Sequence, residues 1–325
     1  MARLIGRYLA LAVAVVLLNF LLPRLLPGDP LAAAAPDGIS PATSTLTVQA
    51  RVQLRAYYHL DQPLFGQLLS YLNDLAHGNL GWSISQAAPA RDLVGERLPW
   101  TLGLLVTALI VSSVAGSLLG LLAAWRGGQL DQTVLTLSSG LAAMPEFLTA
   151  IALLLGFAVA LRWFPLHGGQ TVFASDPGRN PDWPHALVDV AWHLTLPALT
   201  LVLATSAAFV LVARGAVRSV LTETYLTTAR AKGLSETQVA SRHAAPNALL
   251  PVMTLFGLRL GQVLGGAIVV ERVFAVPGLG LLAYQSIAAR DYPVLQAVFL
   301  LGSLGVPTVN FGLELAYRRL ERRVG

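Results

Sequence analysis

The sequence has no cysteine, so it holds neither a disulfide framework nor a thiolate metal or redox site. Lysine is almost as scarce. Its single instance, Lys232, follows Ala231, so the Gly-Lys step of a nucleotide-cradling GxxxxGK[ST] loop does not occur and the chain carries no such ATPase site. The six histidines, at 59, 77, 167, 185, 193 and 243, are scattered; there is no His-Glu-x-x-His and no Gly-x-Ser-x-Gly. Metalloprotease and serine-hydrolase chemistry therefore lack their starting residues, which leaves only an intramembrane enzyme of unfamiliar type among the enzyme classes. No catalytic residue and no metal site is assigned. Charge is low too: 12% of the 325 residues are Asp, Glu, Lys or Arg, against about 25% in soluble domains.

What is present is apolar. Hydrophobic residues make up 55% of the chain, and several runs reach the ~20 residues that a helix needs to cross ~30 Å of hydrocarbon. The net charge of +5 does not point to nucleic acid, because the arginines cluster beside the apolar runs, as in the cytoplasmic loops of membrane proteins.

These runs predict an all-α integral membrane protein with six transmembrane helices. The first lies between Arg7 and Arg24, about 26 Å of helix, with both arginines placed to snorkel. A signal peptide is the rival there, since Arg3 and Arg7 form a positive n-region and Ala33-Ala34-Ala35 resembles a cleavage site. The apolar stretch is longer than an ordinary h-region, which favours a span. The remaining spans fall at about Trp100–Trp125, Thr133–Leu161, His193–Ala213, Ala248–Val270 and Val294–Tyr317. Residues 1–26 thus comprise the N-terminal tail and first span, 27–99 an extracytoplasmic segment of short helices, and 100–325 a core with five spans.

Six spans put both termini on one side, together with the 126–132 turn and the 214–247 region. Those four segments carry twelve of the 22 Lys and Arg, so that side is expected to be the cytoplasm. Multi-pass insertion in a bacterial cytoplasmic (inner) membrane, in contact with lipid, is the corresponding localisation.

Residues 222–247 form the longest polar stretch on that side. Gly233 suits the left-handed residue that ends one helix, and Ser235 with Gln238 has the spacing of a capping box that opens another. Ala229 and Ala231 are small enough for close approach by a partner, while Arg230, Lys232 and Arg242 supply charge. Helical pattern alone is equally satisfied by an amphipathic connector.

The literal residues go further. Tyr225-Leu-Thr-Thr-Ala-Arg-Ala-Lys-Gly-Leu-Ser235, followed by His243-Ala-Ala-Pro-Asn-Ala-Leu-Leu-Pro251, resembles the cytoplasmic loop of ABC importer permeases, and more narrowly the dipeptide, oligopeptide and nickel family. Gly233 and Pro246 stand at the spacing of the Gly and Pro of the wider importer loop, with Thr227 and Thr228 in place of its Glu-Ala. The similarity covers nearly the whole chain: Pro27-Gly-Asp-Pro30, Leu60-Asp-Gln-Pro-Leu64, Gly78-Asn-Leu-Gly81 with Ser83, Arg97-Leu-Pro99 with Thr101, Leu196-Pro197, Glu271-Arg-Val-Phe274, Pro277-Gly-Leu-Gly280 and Arg290-Asp-Tyr-Pro293 occur in family order. The long segment after the first span resembles the "B" permease type. The tail departs, with Glu321-Arg322-Arg323 where the family often has Asp-Pro-Arg.

The resemblance implies a permease subunit without its own ATPase site, forming half of an alternating-access path. Its partners would be a second permease of the "C" type, two ATPase subunits that bind ATP and Mg, and an extracytoplasmic substrate-binding protein; the chain itself would need no cofactor. It implies di- or oligopeptides as cargo, with a nickel chelate as the main rival and opines or glutathione as further options. Tyr225, Ala229, Arg230, Ala231, Lys232, Gly233 and Leu234 would form the docking helix and its cap, braced by His243 and Asn247 against the fifth span. A self-sufficient secondary transporter is the competing class, and would need no ATPase.

Two ionisable residues lie deep in predicted spans. Glu146 follows Met144-Pro145 in the third, where the proline predicts a kink, and Arg259 falls in the fifth. They are candidates for the substrate path, or for a structural pair or burial against the partner subunit. Gly116 with Gly120, and Gly257, Gly261 and Gly265, recur at intervals of four, a spacing that lets membrane helices pack closely.

Overall fold

The computed structural model describes residues 2–25, 61–83, 85–171, 183–262, 267–289 and 291–324. The Pro27–Pro30 motif, Leu60, Gly265, Arg290 and the side chains of Arg24, Arg318, Arg319, Arg322 and Arg323 lie outside the described set. The chain divides into two compact units, Met1–Thr101 with Leu264–Ile268 and Pro277–Gly325, and Leu102–Val263 with Val269–Val276.

The first unit begins with helix α1, Ala2–Leu25. Helix α2, Leu64–Ala76, follows, then a ribbon of two antiparallel strands of two residues each, β1 (Trp82–Ser83) and β2 (Ala88–Pro89). The ribbon departs from the expected set of short helices. Strands this short leave no alternating pattern to read, and the turn between them places Ala87 at a positive φ of 50°. Helix α3, Ala90–Arg126, starts in this unit and ends in the other.

Ala90, Leu93 and Val94 of α3 form a core with residues near the other end of the chain, Leu279, Leu282, Val294 and Ala297. Several buried polar groups of this unit find partners, while among the described residues Ser286 Oγ and Asp291 Oδ1 are buried without one. Asn19 and Gln296 exchange amide-to-carbonyl hydrogen bonds of 3.1 Å each, and Asn19 Nδ2 also donates to Tyr71 Oη at 3.0 Å.

In the second unit, Gly127 and Gly128, both at positive φ, turn the chain from α3 into α4, Gly128–Ala143. Met144 and Pro145 then break the helix, and α5 begins at Glu146, runs to Leu153 and continues as a π-helical turn to Ala160. The predicted third span is therefore bent by 99°. Pro145 supplies no N–H and leaves Met144 extended (ψ 126°), so the kink becomes a corner.

Helix α6 runs from Trp183 to Leu221, well beyond the predicted span at both ends. Short helices α7 (Thr224–Ala231) and α8 (Glu236–Gln238) follow, and α8 passes through a π-helical turn, Val239–Ala244, into α9, Ala245–Gln262. Helix α10, Ile268–Val273, is separate, so the stretch read as one fifth span holds two helices. Back in the first unit, α11 (Leu279–Ala288) and α12 (Tyr292–Val324) complete the described chain.

Among the described residues three helical stretches are long and apolar enough to cross a membrane: Ala90–Arg126, Pro184–Leu221 and Tyr292–Gly312. The bent pair Gly128–Ala143 and Glu146–Ala160 makes a fourth if counted as one span, while Ile5–Leu21 is a shorter apolar helix. An all-α membrane architecture follows from these helices.

Gly116 and Gly120 of α3 act as close-packing sites. A Cβ on Gly116 would lie 2.7 Å from the Ser206 carbonyl oxygen, and one on Gly120 only 2.4 Å from that of Val210. Helices α3 and α6 thus approach backbone to backbone, and Leu109 of α3 buries against Phe209 and Ala213 of α6 and Val252 of α9. Gly120→Val, which adds volume where backbone must move to admit it, is expected to destabilise the protein by about 1–3 kcal/mol, read as a lowered unfolding temperature in detergent.

Candidate coupling site

The Thr222–Asn247 stretch folds as a helix, a tight turn and a helix. Helix α7 ends on Lys232, and Gly233 takes φ 81°, where a side chain would be strained. Gly233 N–H donates to Arg230 O at 2.9 Å and Leu234 N–H to Ala229 O at 3.4 Å, the paired bonds of a Schellman cap. Ser235 then opens α8: its Oγ accepts from Gln238 N, and its own N–H donates to Gln238 Oε1 at 3.0 Å.

The inner face of this hairpin is apolar. Leu226 and Ala229 of α7 are buried with Val239 and Ala244, against Trp125 of α3, Val220 and Leu221 at the end of α6, and Leu234. Of the two small residues of α7, Ala229 therefore faces the protein's own core, whereas Ala231 is exposed beside Arg230, Lys232 and Gly233.

Tyr225, His243 and Asn247 meet at the base. Asn247 Nδ2 donates to Tyr225 Oη at 2.9 Å and to His243 O at 3.0 Å, and Tyr225 Oη reaches the same carbonyl at 3.5 Å. These bonds tie α7 to the first turn of α9.

At the exposed tip, Arg230 Nε donates to Glu236 Oε1 at 2.8 Å and Nη2 to Oε2 at 3.3 Å. The hydrogen bonds and charge of Arg230 hold the Glu236 carboxyl below its ordinary range. The role of Glu236 is not readable from the sequence pattern, since a six-residue spacing across a turn matches no helical neighbour rule.

A second cluster lies on the same unit. Asp131, in the first turn of α4, has only 2% of its side chain exposed. Arg214 grips both of its oxygens, Nε to Oδ1 at 2.6 Å and Nη2 to Oδ2 at 2.7 Å, and Arg218 Nη2 donates to Oδ2 as well. The sequence places Arg214 and Arg218 on the basic side but does not single out Asp131, whose only charged neighbour in the 126–132 turn is Arg126.

In the first unit, motifs far apart in sequence converge. Asp291 Oδ2 accepts from Ser83 Oγ at 2.5 Å and Ser85 Oγ at 2.6 Å, which pins the ribbon to the start of α12. Thr101 Oγ1 accepts from Leu279 N at 2.7 Å and so caps α11.

Glu146 is partly buried at the corner between α4 and α5, and Arg259 lies in the last turn of α9. No ion pair joins the two among the described residues.

The family described as "Binding-protein-dependent transport system inner membrane component" matches residues 116–325. The chain is 35% identical over 316 residues to the glutathione transport system permease protein GsiC of Escherichia coli (strain K12), covering 97% of this chain and 94% of that one. It is 35% identical over 335 residues to the di/tripeptide transport system permease protein DppB of Pseudomonas aeruginosa (strain UCBPP-PA14), covering 99% and 97%. It is also 35% identical over 308 residues to the probable peptide ABC transporter permease protein y4tP of Sinorhizobium fredii (strain NBRC 101917 / NGR234), covering 94% and 92%.

Two outcomes are expected at the hairpin. Ser235→Ala removes the cap oxygen and is expected to cost about 1 kcal/mol, read as faster amide exchange over residues 236–239. Because the Glu236 carboxyl is held low by Arg230, the pair's contribution is complete above the ordinary glutamate range and is lost as pH falls through the lowered value. The acid limb of exchange at the α7–α8 turn should be absent in Glu236→Gln.

Proposed function

Since this chain belongs to the binding-protein-dependent inner-membrane transport components, as a permease subunit of an ABC importer, we propose that it forms half of an alternating-access path for di- or oligopeptides, driven through the hairpin at 222–247. The single observation that carries the driving role is the hairpin's construction: a Schellman cap and a capping box hold Arg230, Ala231, Lys232 and Gly233 outward on an apolar base. An ATPase subunit that grips this tip pushes on a stiff element. The base bonds from Asn247 to Tyr225 and His243 support its role as a brace against the following helix.

The partner assembly is then a second permease of the "C" type, two ATPase subunits that bind ATP and Mg, and a substrate-binding protein on the far side. The chain supplies no hydrolysis. Six membrane crossings in the bacterial inner membrane, with both termini and the hairpin cytoplasmic, agree with the distribution of Lys and Arg. Glutathione and di/tripeptide carriers among the relatives support a short peptide as cargo. Glu146, partly buried beside a broken helix, and Arg259 are the groups in this chain proposed to meet a charged peptide end.

In proteoliposomes holding the full importer and its binding protein, ATP-driven uptake of labelled di- and tripeptides is expected. Gly233→Asp should abolish most of that uptake while the protein remains in the membrane, because the φ of 81° and the tip surface are both disturbed. Normal uptake by this variant would refute the docking role, and a permease that transports without any ATPase would refute the importer class. Glu146→Gln should alter peptide preference without loss of assembly; unchanged preference with lost assembly would mark a structural residue.

A further inference from the structure

We propose that Asp131 is a positioning residue for transport, the joint through which displacement of the docking hairpin is passed to helices α4 and α5. This inference rests on the docking role assigned to the hairpin above.

The covalent chain gives α4 a loose start. Gly127 and Gly128, at φ 65° and 61°, connect it to α3, and a Cβ on either would meet nothing within 4 Å. Two adjacent glycines in open space leave the orientation of α4 undetermined by the turn itself. Asp131, one turn on, supplies what the turn does not: three hydrogen bonds to two arginines of α6. The Arg214 fork fixes direction as well as distance, since a bidentate guanidinium pair has one preferred plane.

The arginines stand where the hairpin presses. Arg218 is three residues before the end of α6, and α7 begins three residues after that end. Leu226 and Ala229 of α7 pack on Val220 and Leu221, and Val217, between the two arginines, is buried with Ala124 and Ala248. A push on α7 therefore reaches the end of α6 through apolar contact, which transmits force but tolerates sliding. The Asp131 contact to α4 is directional and does not slide. Beyond it α4 leads to the 99° corner at Met144–Pro145 and to Glu146. All of these residues belong to one compact unit.

The test uses the whole importer in proteoliposomes with a labelled mixture of di- and tripeptides, and reads ATP hydrolysed per peptide taken up. Asp131→Asn, which keeps shape and loses charge, is expected to raise that ratio about tenfold, within the usual span of coupling between sites, while Asp131→Glu returns it most of the way. A residue that only stabilises the fold would lower uptake and hydrolysis together and leave the ratio unchanged; that outcome overturns the proposal. A second measurement needs no disruptive variant. The chain has no cysteine, so Gln132→Cys with Ser219→Cys, both at exposed positions, can carry a pair of spin labels. Their separation is expected to stay constant between nucleotide-free and ATP-trapped states, and a change in it would show that α4 and α6 move independently and overturn the joint. Gly233→Asp is run in parallel. If that variant couples normally, the docking role itself fails; if it uncouples while Asp131→Asn does not, only the joint is refuted.

Discussion

A carboxylate removed from water has to be matched by positive charge, and the Asp131 clamp meets that requirement with two guanidinium groups from one helix. Breaking such a buried pair by removing one partner costs about 3–5 kcal/mol, enough to decide where α4 sits. The ends of α3 and α6 and the start of α9 meet through Ala124, Val217 and Ala248, and the hairpin packs beside them on Trp125, Val220 and Leu221. The polar clamp gives direction, and the small apolar residues around it give proximity.

The hairpin applies the same division of labour on a smaller scale. Its apolar side, Leu226, Ala229, Val239 and Ala244, is buried, and its polar side is stiffened by caps rather than by length. An eight-residue helix has little stability by itself. Capped at its C-terminal end by the Schellman turn, and tied by Tyr225 and Asn247 to α9, it becomes an element that can carry load. Glu236 and Arg230 close the outer edge, and their exposure makes the pair a matter of geometry more than of stability.

Much of this was legible in the chain. The turn at Gly233 and the Ser235–Gln238 box follow from local rules of helix ends, which depend on a few neighbouring residues, and the structure has both. The close approach at Gly116 and Gly120 also follows from spacing. The limits of the helices were less legible. Hydropathy marks where the membrane would be, whereas a helix continues as long as its hydrogen bonds do, so α6 runs on to Leu221 and α3 starts at Ala90. Pro145 announced a kink, but its size depends on how the next helix packs.

The sequence by itself determined that this is a helical membrane protein with a capped, basic hairpin and without a GxxxxGK[ST] loop, because composition, apolar runs and cap residues act over short distances. Only the tertiary structure decided which distant groups meet. Asp131 with Arg214 and Arg218, Asp291 with Ser83 and Ser85, and Thr101 with the Leu279 amide are pairings 83 to 208 residues apart. No local rule reaches that far; the burial of each polar group selects its partner, and burial exists only once the chain has folded.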